Sequence, residues 1–240
     1  MLTSRRSYIR GRNLRLLILS LLFNAVTIGQ DWANLNRYSA QNSELGPPAT
    51  NENRVVFMGN SITEGWSNFL PEFFAGKNYI NRGISGQTTP QMLIRFRPDV
   101  IDLKPRAVVI LAGINDIAEN TGPSTVKMIA DNIISMAELG QSNGISVIIS
   151  SILPAGDFNW NSVINPPSQI LAINKIIKNY AEKNGMTYLD YYSSMVNDQE
   201  GLKEEYGVDS VHPNKAGYEI MSILVDQAIA ETFSLNRKKK

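Results

Sequence analysis

"RVVFMGNSITEGW", residues 54–66, joins a short apolar run to a polar segment that opens on glycine and carries Ser61. Val55, Val56 and Phe57 follow one another without a polar residue between them, which is how a strand buried on both faces reads. Four further short runs, mostly β-branched or aromatic, read as strands: "YINRG" (79–83), "AVVILAG" (107–113), "ISVIIS" (145–150) and "TYLD" (187–190).

Between these runs lie longer segments with helical spacing. In residues 124–144, Val126, Ile129, Ile133, Met136 and Leu139 recur three and four apart, and residues 167–185 repeat the pattern with Ile170, Ile173, Ile176, Ile177 and Tyr180. Residues 214–233 form a third such helix. Short buried strands alternating with long helices imply an α/β fold, a central parallel sheet covered on both faces. In such sheets ligands bind beyond the carboxyl ends of the strands.

The amino terminus has a different character. Arg5, Arg6, Arg10, Arg12 and Arg15 precede an apolar run from Leu16 to Gly29, and no acidic residue occurs before Asp31. Basic, then apolar, then small is the order of a secretory signal peptide, assigned to residues 1–29. The apolar run falls short of the roughly 20 residues that a spanning helix needs, so no stable membrane insertion is expected. The chain is therefore expected to be secreted or periplasmic. It has no cysteine, which leaves no thiol for lipid attachment or a disulfide. Residues 1–29 hold five basic and no acidic side chains; the remainder carries 18 basic against 22 acidic, a net of −4. That balance gives no reason to expect a nucleic-acid partner. Residues 30–53 are polar, with Pro47 and Pro48, and are expected to form a surface segment; residues 235–240 form a basic tail.

Polar, glycine-bearing segments follow the strands: Gly59-Asn60-Ser61-Ile62-Thr63, Gly83, and Gly113-Ile114-Asn115-Asp116. The last precedes the final helix as Asp209-Ser210-Val211-His212-Pro213. A serine hydroxyl attacks an ester only if a base takes its proton, and a carboxylate must hold that base in the right tautomer. The chain has one histidine, so His212 has to be that base, with Asp209 three residues before it. Pro213 restrains His212 to extended backbone and suits the first position of a helix. The N–H groups of Ser61 and Gly83 and the side-chain amide of Asn115 are candidate donors to a developing oxyanion. Read alone, a serine after a strand is most often a turn or helix-capping residue.

Together these four blocks resemble, in order, the consensus blocks of the SGNH (GDSL-type) hydrolases. The resemblance spans residues 59–213. It implies a flavodoxin-like three-layer α/β/α sandwich over residues 54–234 and ester hydrolysis without a metal or other cofactor. It further implies nucleophile Ser61, base His212, acid Asp209, and an oxyanion hole of Ser61, Gly83 and Asn115. One position departs from the family: Asn60 stands where aspartate is usual.

The leading expectation is a serine esterase releasing short acyl groups, acetyl above all, from a small-molecule or saccharide ester. The alternatives are an acyl-lipid or lysophospholipid hydrolase, and a non-catalytic carbohydrate-binding protein. Thr63 excludes the Gly-x-Ser-x-Gly elbow of other α/β hydrolases. With one histidine and no cysteine, a metallohydrolase is disfavoured. Trp66, Phe158 and Trp160 are candidates for lining a pocket, or for core packing. Asp116 is expected to buttress its loop, and Thr63, Glu64 and Gln87 are left outside the site. The pocket is expected to be shaped by residues 83–92 and 153–167, both read as irregular backbone.

Overall fold

The computed structural model describes residues 31–158 and 163–238; the expected signal peptide, Trp160 and the last two residues of the basic tail lie outside them. Five parallel strands form one sheet: β1 (Val55–Gly59), β2 (Tyr79–Gly83), β3 (Ala107–Leu111), β4 (Ser146–Ser150) and β5 (Thr187–Leu189). Their order is β2-β1-β3-β4-β5. Every residue of β1 and β3 is buried, whereas the edge strands β2 and β5 are partly exposed. Flanking strands and helices cover both sides of the central pair, which is why those two runs carry almost no polar side chains.

Helices α1 (Ser39–Leu45), α2 (Ser61–Phe69), α3 (Thr89–Asp99), α4 (Ile114–Ile117), α5 (Val126–Ser142) and α6 (Pro166–Lys183) follow in chain order. The short α7 (Tyr192–Met195) and the long α8 (Lys215–Lys238) complete the chain. Helices α3, α5 and α6 pack in sequence on one face, and α2 and α8 meet on the other. The result is a three-layer α/β/α sandwich.

One helix starts where the sequence suggested irregular backbone. Residues 83–92 contain the start of α3, whose first turn holds Pro90 and is closed by a capping box between Thr88 and Gln91. Proline lacks the N–H that a first helical turn leaves unpaired, so here it marks an entry rather than a break. Helix α2 follows β1 directly, with Ser61 as its first residue.

Residues 31–53 do more than cover a surface. Ala33 and Tyr38 are buried, and the Tyr38 hydroxyl donates to the Gly83 carbonyl. The amino-terminal segment thereby straps the carboxyl end of edge strand β2.

Candidate active site

Strand register brings the functional segments together. Gly59, the last residue of β1, lies opposite Gly83 of β2 on one side and Leu111 of β3 on the other. The residues that follow these three strands therefore emerge along one edge of the sheet. Asn60 begins α2 as its cap: its side-chain oxygen accepts the Ile62 N–H at 3.1 Å. This gives the departure from the family pattern a physical role, since asparagine caps a helix as well as aspartate does. Ser61 is thus not the cap. As the first helical residue, it keeps an N–H with no intrahelical acceptor.

The Ser61 hydroxyl lies 3.0 Å from His212 Nε2. On the other side of the ring, Nδ1 lies 2.9 Å from Asp209 Oδ2. The loop that achieves this is held by its own carboxylate. Asp209 Oδ1 accepts the N–H groups of Val211 at 2.8 Å and His212 at 2.7 Å. Val208 N–H closes the turn on the His212 carbonyl. Partial burial pushes the Asp209 carboxyl up, but the two backbone donors and the imidazole outweigh it and hold the group below the usual carboxylate range. Pro213 does not start α8; Asn214, the residue before the helix, caps it by accepting the Gly217 N–H on its side-chain oxygen at 3.0 Å.

Asn115 lies in α4, directly after Gly113, which takes a positive φ of 119° where an added Cβ would strike Ile152. Its side-chain nitrogen spends one hydrogen on the Gln87 carbonyl at 2.9 Å and keeps a second. Asp116 behind it is buried and accepts both the N–H and the hydroxyl of Thr89. Burial pushes its carboxyl up to about 6, the Thr89 donors offsetting part of the rise.

Gly83 is a different matter. Its N–H already donates to Asn81 Oδ1 at 2.8 Å, and an added Cβ would lie 2.1 Å from the Glu64 backbone nitrogen. It is glycine so that α2 can pack against β2, and its amide is not free for an oxyanion. Three residues on, Gly86 has a φ of 77° and open space around its α-carbon. It sits between Ser85, on the cavity wall, and Gln87, which holds Asn115. The sequence reading missed it; the signal was the second glycine of "GISGQ".

A cavity of about 700 Å³ opens beside Ser61 and His212. Its walls include Arg37, Tyr38, Glu64, Asn68, Arg82 and Ser85. Glu64, set aside in the sequence, accepts the Ser85 N–H at 2.9 Å and pairs with Arg37 at 3.1 Å. Trp66 and Phe158 are buried and do not line this cavity; Trp66 stacks on Phe73 at 4.8 Å between ring centres. Among the described residues, no three His, Cys, Asp or Glu side chains are grouped to share a metal ion.

Comparisons with known proteins agree with this arrangement. The crystal structure of a Bacteroides fragilis protein assigned as an acylhydrolase is 52% identical, with a TM-score of 0.83 over 85% of this chain and 99% of that one. The Pseudomonas aeruginosa esterase TesA is 24% identical over 160 residues, 65% of this chain and 73% of its own. The Bacillus subtilis lipoprotein YqeF, of unassigned function, is 31% identical over 117 residues; the match covers 42% of this chain and about half, 48%, of YqeF. The GDSL-like lipase/acylhydrolase family matches residues 57–220. The chain belongs to that family, and with it to the carboxylic ester hydrolases.

Proposed function

We propose that this protein is an exported serine esterase that removes short acyl groups, acetyl above all, from a polar, saccharide-like alcohol. The observation that carries the reading is the unbroken chain from Ser61 Oγ through His212 to Asp209, with contacts of 3.0 and 2.9 Å. His212 Nε2 takes the hydroxyl proton as Oγ adds to the ester carbonyl carbon, and the carbonyl oxygen becomes an oxyanion. The Ser61 and Gly86 N–H groups and the free hydrogen of Asn115 Nδ2 are the donors for that oxygen, with Gly86 in place of Gly83. As the tetrahedral species collapses, the carbon to alkoxide bond breaks and the leaving oxygen takes the proton from His212, leaving acyl-Ser61. Water then attacks the acyl carbon, giving its proton to His212, and the carboxylic acid departs as the proton returns to Ser61.

The cavity wall bears on the alcohol portion. Arg37, Glu64, Asn68, Arg82 and Ser85 offer hydrogen-bonding groups suited to hydroxyls, beside the apolar Phe69 and Val208. One observation favours the lipid reading instead. A shallower groove of about 420 Å³ shares Gln41, Asn81 and Arg82 with the cavity and is lined by Leu45, Tyr79 and Ile80. Export rests on the basic-apolar start of the chain and on its likeness to a lipoprotein. Among the described residues, no helix is long and apolar enough to cross a membrane.

The test compares the protein from Gln30 onward with Ser61→Ala on p-nitrophenyl acetate, p-nitrophenyl octanoate and acetylated xylo-oligosaccharides. Turnover of the acetyl substrates that disappears in the variant supports the reading. Preference for octanoate supports the lipid alternative, and equal background rates for both proteins contradict catalysis.

A further inference from the structure

Arg95 of α3 is fully buried, yet no step of ester hydrolysis described above uses it. Its guanidinium meets four partners, three from outside α3 and Asp99 one turn further along it. Nη2 donates to the Gly59 carbonyl at 2.8 Å, and Nη1 donates to the Arg82 carbonyl at 2.9 Å and to Asp99 Oδ2 at 3.0 Å. Nε donates to the side-chain oxygen of Gln87. Asp99 balances the charge and is itself held by the Asn42 side-chain amide at 2.8 Å.

Two of these contacts lead to the reacting atoms. Gly59 stands two residues before Ser61, and its carbonyl also accepts the Ile84 N–H. Gln87 adjoins Gly86, its main-chain carbonyl accepts from Asn115 Nδ2, and its side-chain nitrogen donates to Ala33 at 2.7 Å. One planar cation thus joins the loop that carries the Ser61 amide to the loop that aligns Gly86 and Asn115.

We propose that Arg95 is a positioning residue for the hydrolysis, a buried fork that fixes the spacing between the Ser61 amide and the Gly86 and Asn115 donors. The inference rests on Ser61 being the nucleophile. Preorganised donors lower a barrier only while they stay at hydrogen-bond distance from the oxyanion, and small displacements are costly. Lysine can keep the charge opposite Asp99, but a single ammonium cannot span Gly59, Arg82 and Gln87 together.

The test uses the protein from Gln30 onward, Arg95→Lys and Gln87→Met, each calibrated by active-site titration and assayed below its own melting transition. The measured quantities are kcat and KM on p-nitrophenyl acetate, inhibition by phenylboronic acid, which binds serine as a tetrahedral adduct, and Tm. Arg95→Lys is expected to lower kcat about 100-fold with KM nearly unchanged, and to weaken boronate inhibition in step. Gln87→Met keeps the Arg95–Asp99 pair and the Gln87 main-chain carbonyl, and is expected to lower kcat about 10-fold. A residue that serves folding alone would lower Tm and leave kcat per titrated site, and the boronate affinity, where they were. The inference is overturned if both variants keep kcat within about twofold of wild type, whatever their Tm. Should Arg95→Lys fail to fold, Gln87→Met decides by the same criterion. If the wild type shows no Ser61-dependent turnover, the nucleophile reading fails and takes this inference with it; wild-type turnover with unchanged variants removes this inference alone.

Discussion

Asp209 and His212 lie three residues apart on one loop, with about a third of each side chain exposed at 37% and 33%. Arg95 has no exposure and gathers Gly59, Arg82 and Gln87 from outside its helix, with Asp99 one turn along it. The first region is made by local chain geometry and is partly open to water; the second is made mainly by tertiary packing and is dry. Chemistry at the loop is therefore separable from folding, while geometry at the buried base is tied to it. Two carboxylates show the same contrast of exposure, Asp209 on the loop and the buried Asp116 behind Asn115. Hydrogen bonds pull Asp209 down, and burial pushes Asp116 up.

The largest effect that would sharpen this contrast is on activity at the loop. His212→Ala should lower kcat by about 10⁴-fold or more. Its melting temperature should stay within a few degrees of wild type, because a partly exposed imidazole with one carboxylate partner contributes little to stability. Kinetics and thermal denaturation of one sample check both halves, and a large fall in Tm would erase the distinction.

The converse variant is Asp99→Ala. It strands the Arg95 charge in the interior and should cost about 3–5 kcal/mol in urea unfolding, far more than any change confined to the loop. A loss near 1 kcal/mol would mean that Arg95 finds other compensation.

pH separates the two carboxylates by sign. Asp116 has a folded value of about 6 against 3.8 for the free group, so between about pH 4 and 6 the folded state holds a proton that the unfolded state has released. Its contribution is present below pH 4 and lost as pH rises through 6, on the order of 3 kcal/mol in all. Asp209 works the other way, its contribution present above the free carboxylate value and lost as pH falls through its lowered folded value. Urea unfolding from pH 4 to 7 on wild type and Asp116→Asn checks this. The variant should lose the downward slope, and an unchanged slope would contradict the assignment.

The smallest effect tests the joint between the regions. Asn60→Ala removes the cap of α2 and should cost about 1 kcal/mol. Unfolding with no measurable change would show that Asn60 is there for another reason.

What could be read from the chain follows the same division. The strands were legible because burial on both faces forces unbroken apolar runs, as in Val55–Met58 and Ala107–Leu111. Asp209 and His212 were legible because their pairing is a three-residue spacing. Helix α3 was not, since its buried face includes Arg95 and Asp99, which by type read as surface, and prolines at 90 and 98 read as breaks. Gly83 reads as an oxyanion donor because it ends a strand. Only the packing of α2 on β2 shows that its amide and its missing side chain are already committed, and that the free glycine is Gly86.

The most direct test of the central claim is covalent. A fluorophosphonate should form one adduct, located by peptide mass spectrometry on the segment containing Ser61, and labelling should fall steeply in His212→Ala. Absence of an adduct, labelling at another residue, or a rate indifferent to His212 would contradict the account.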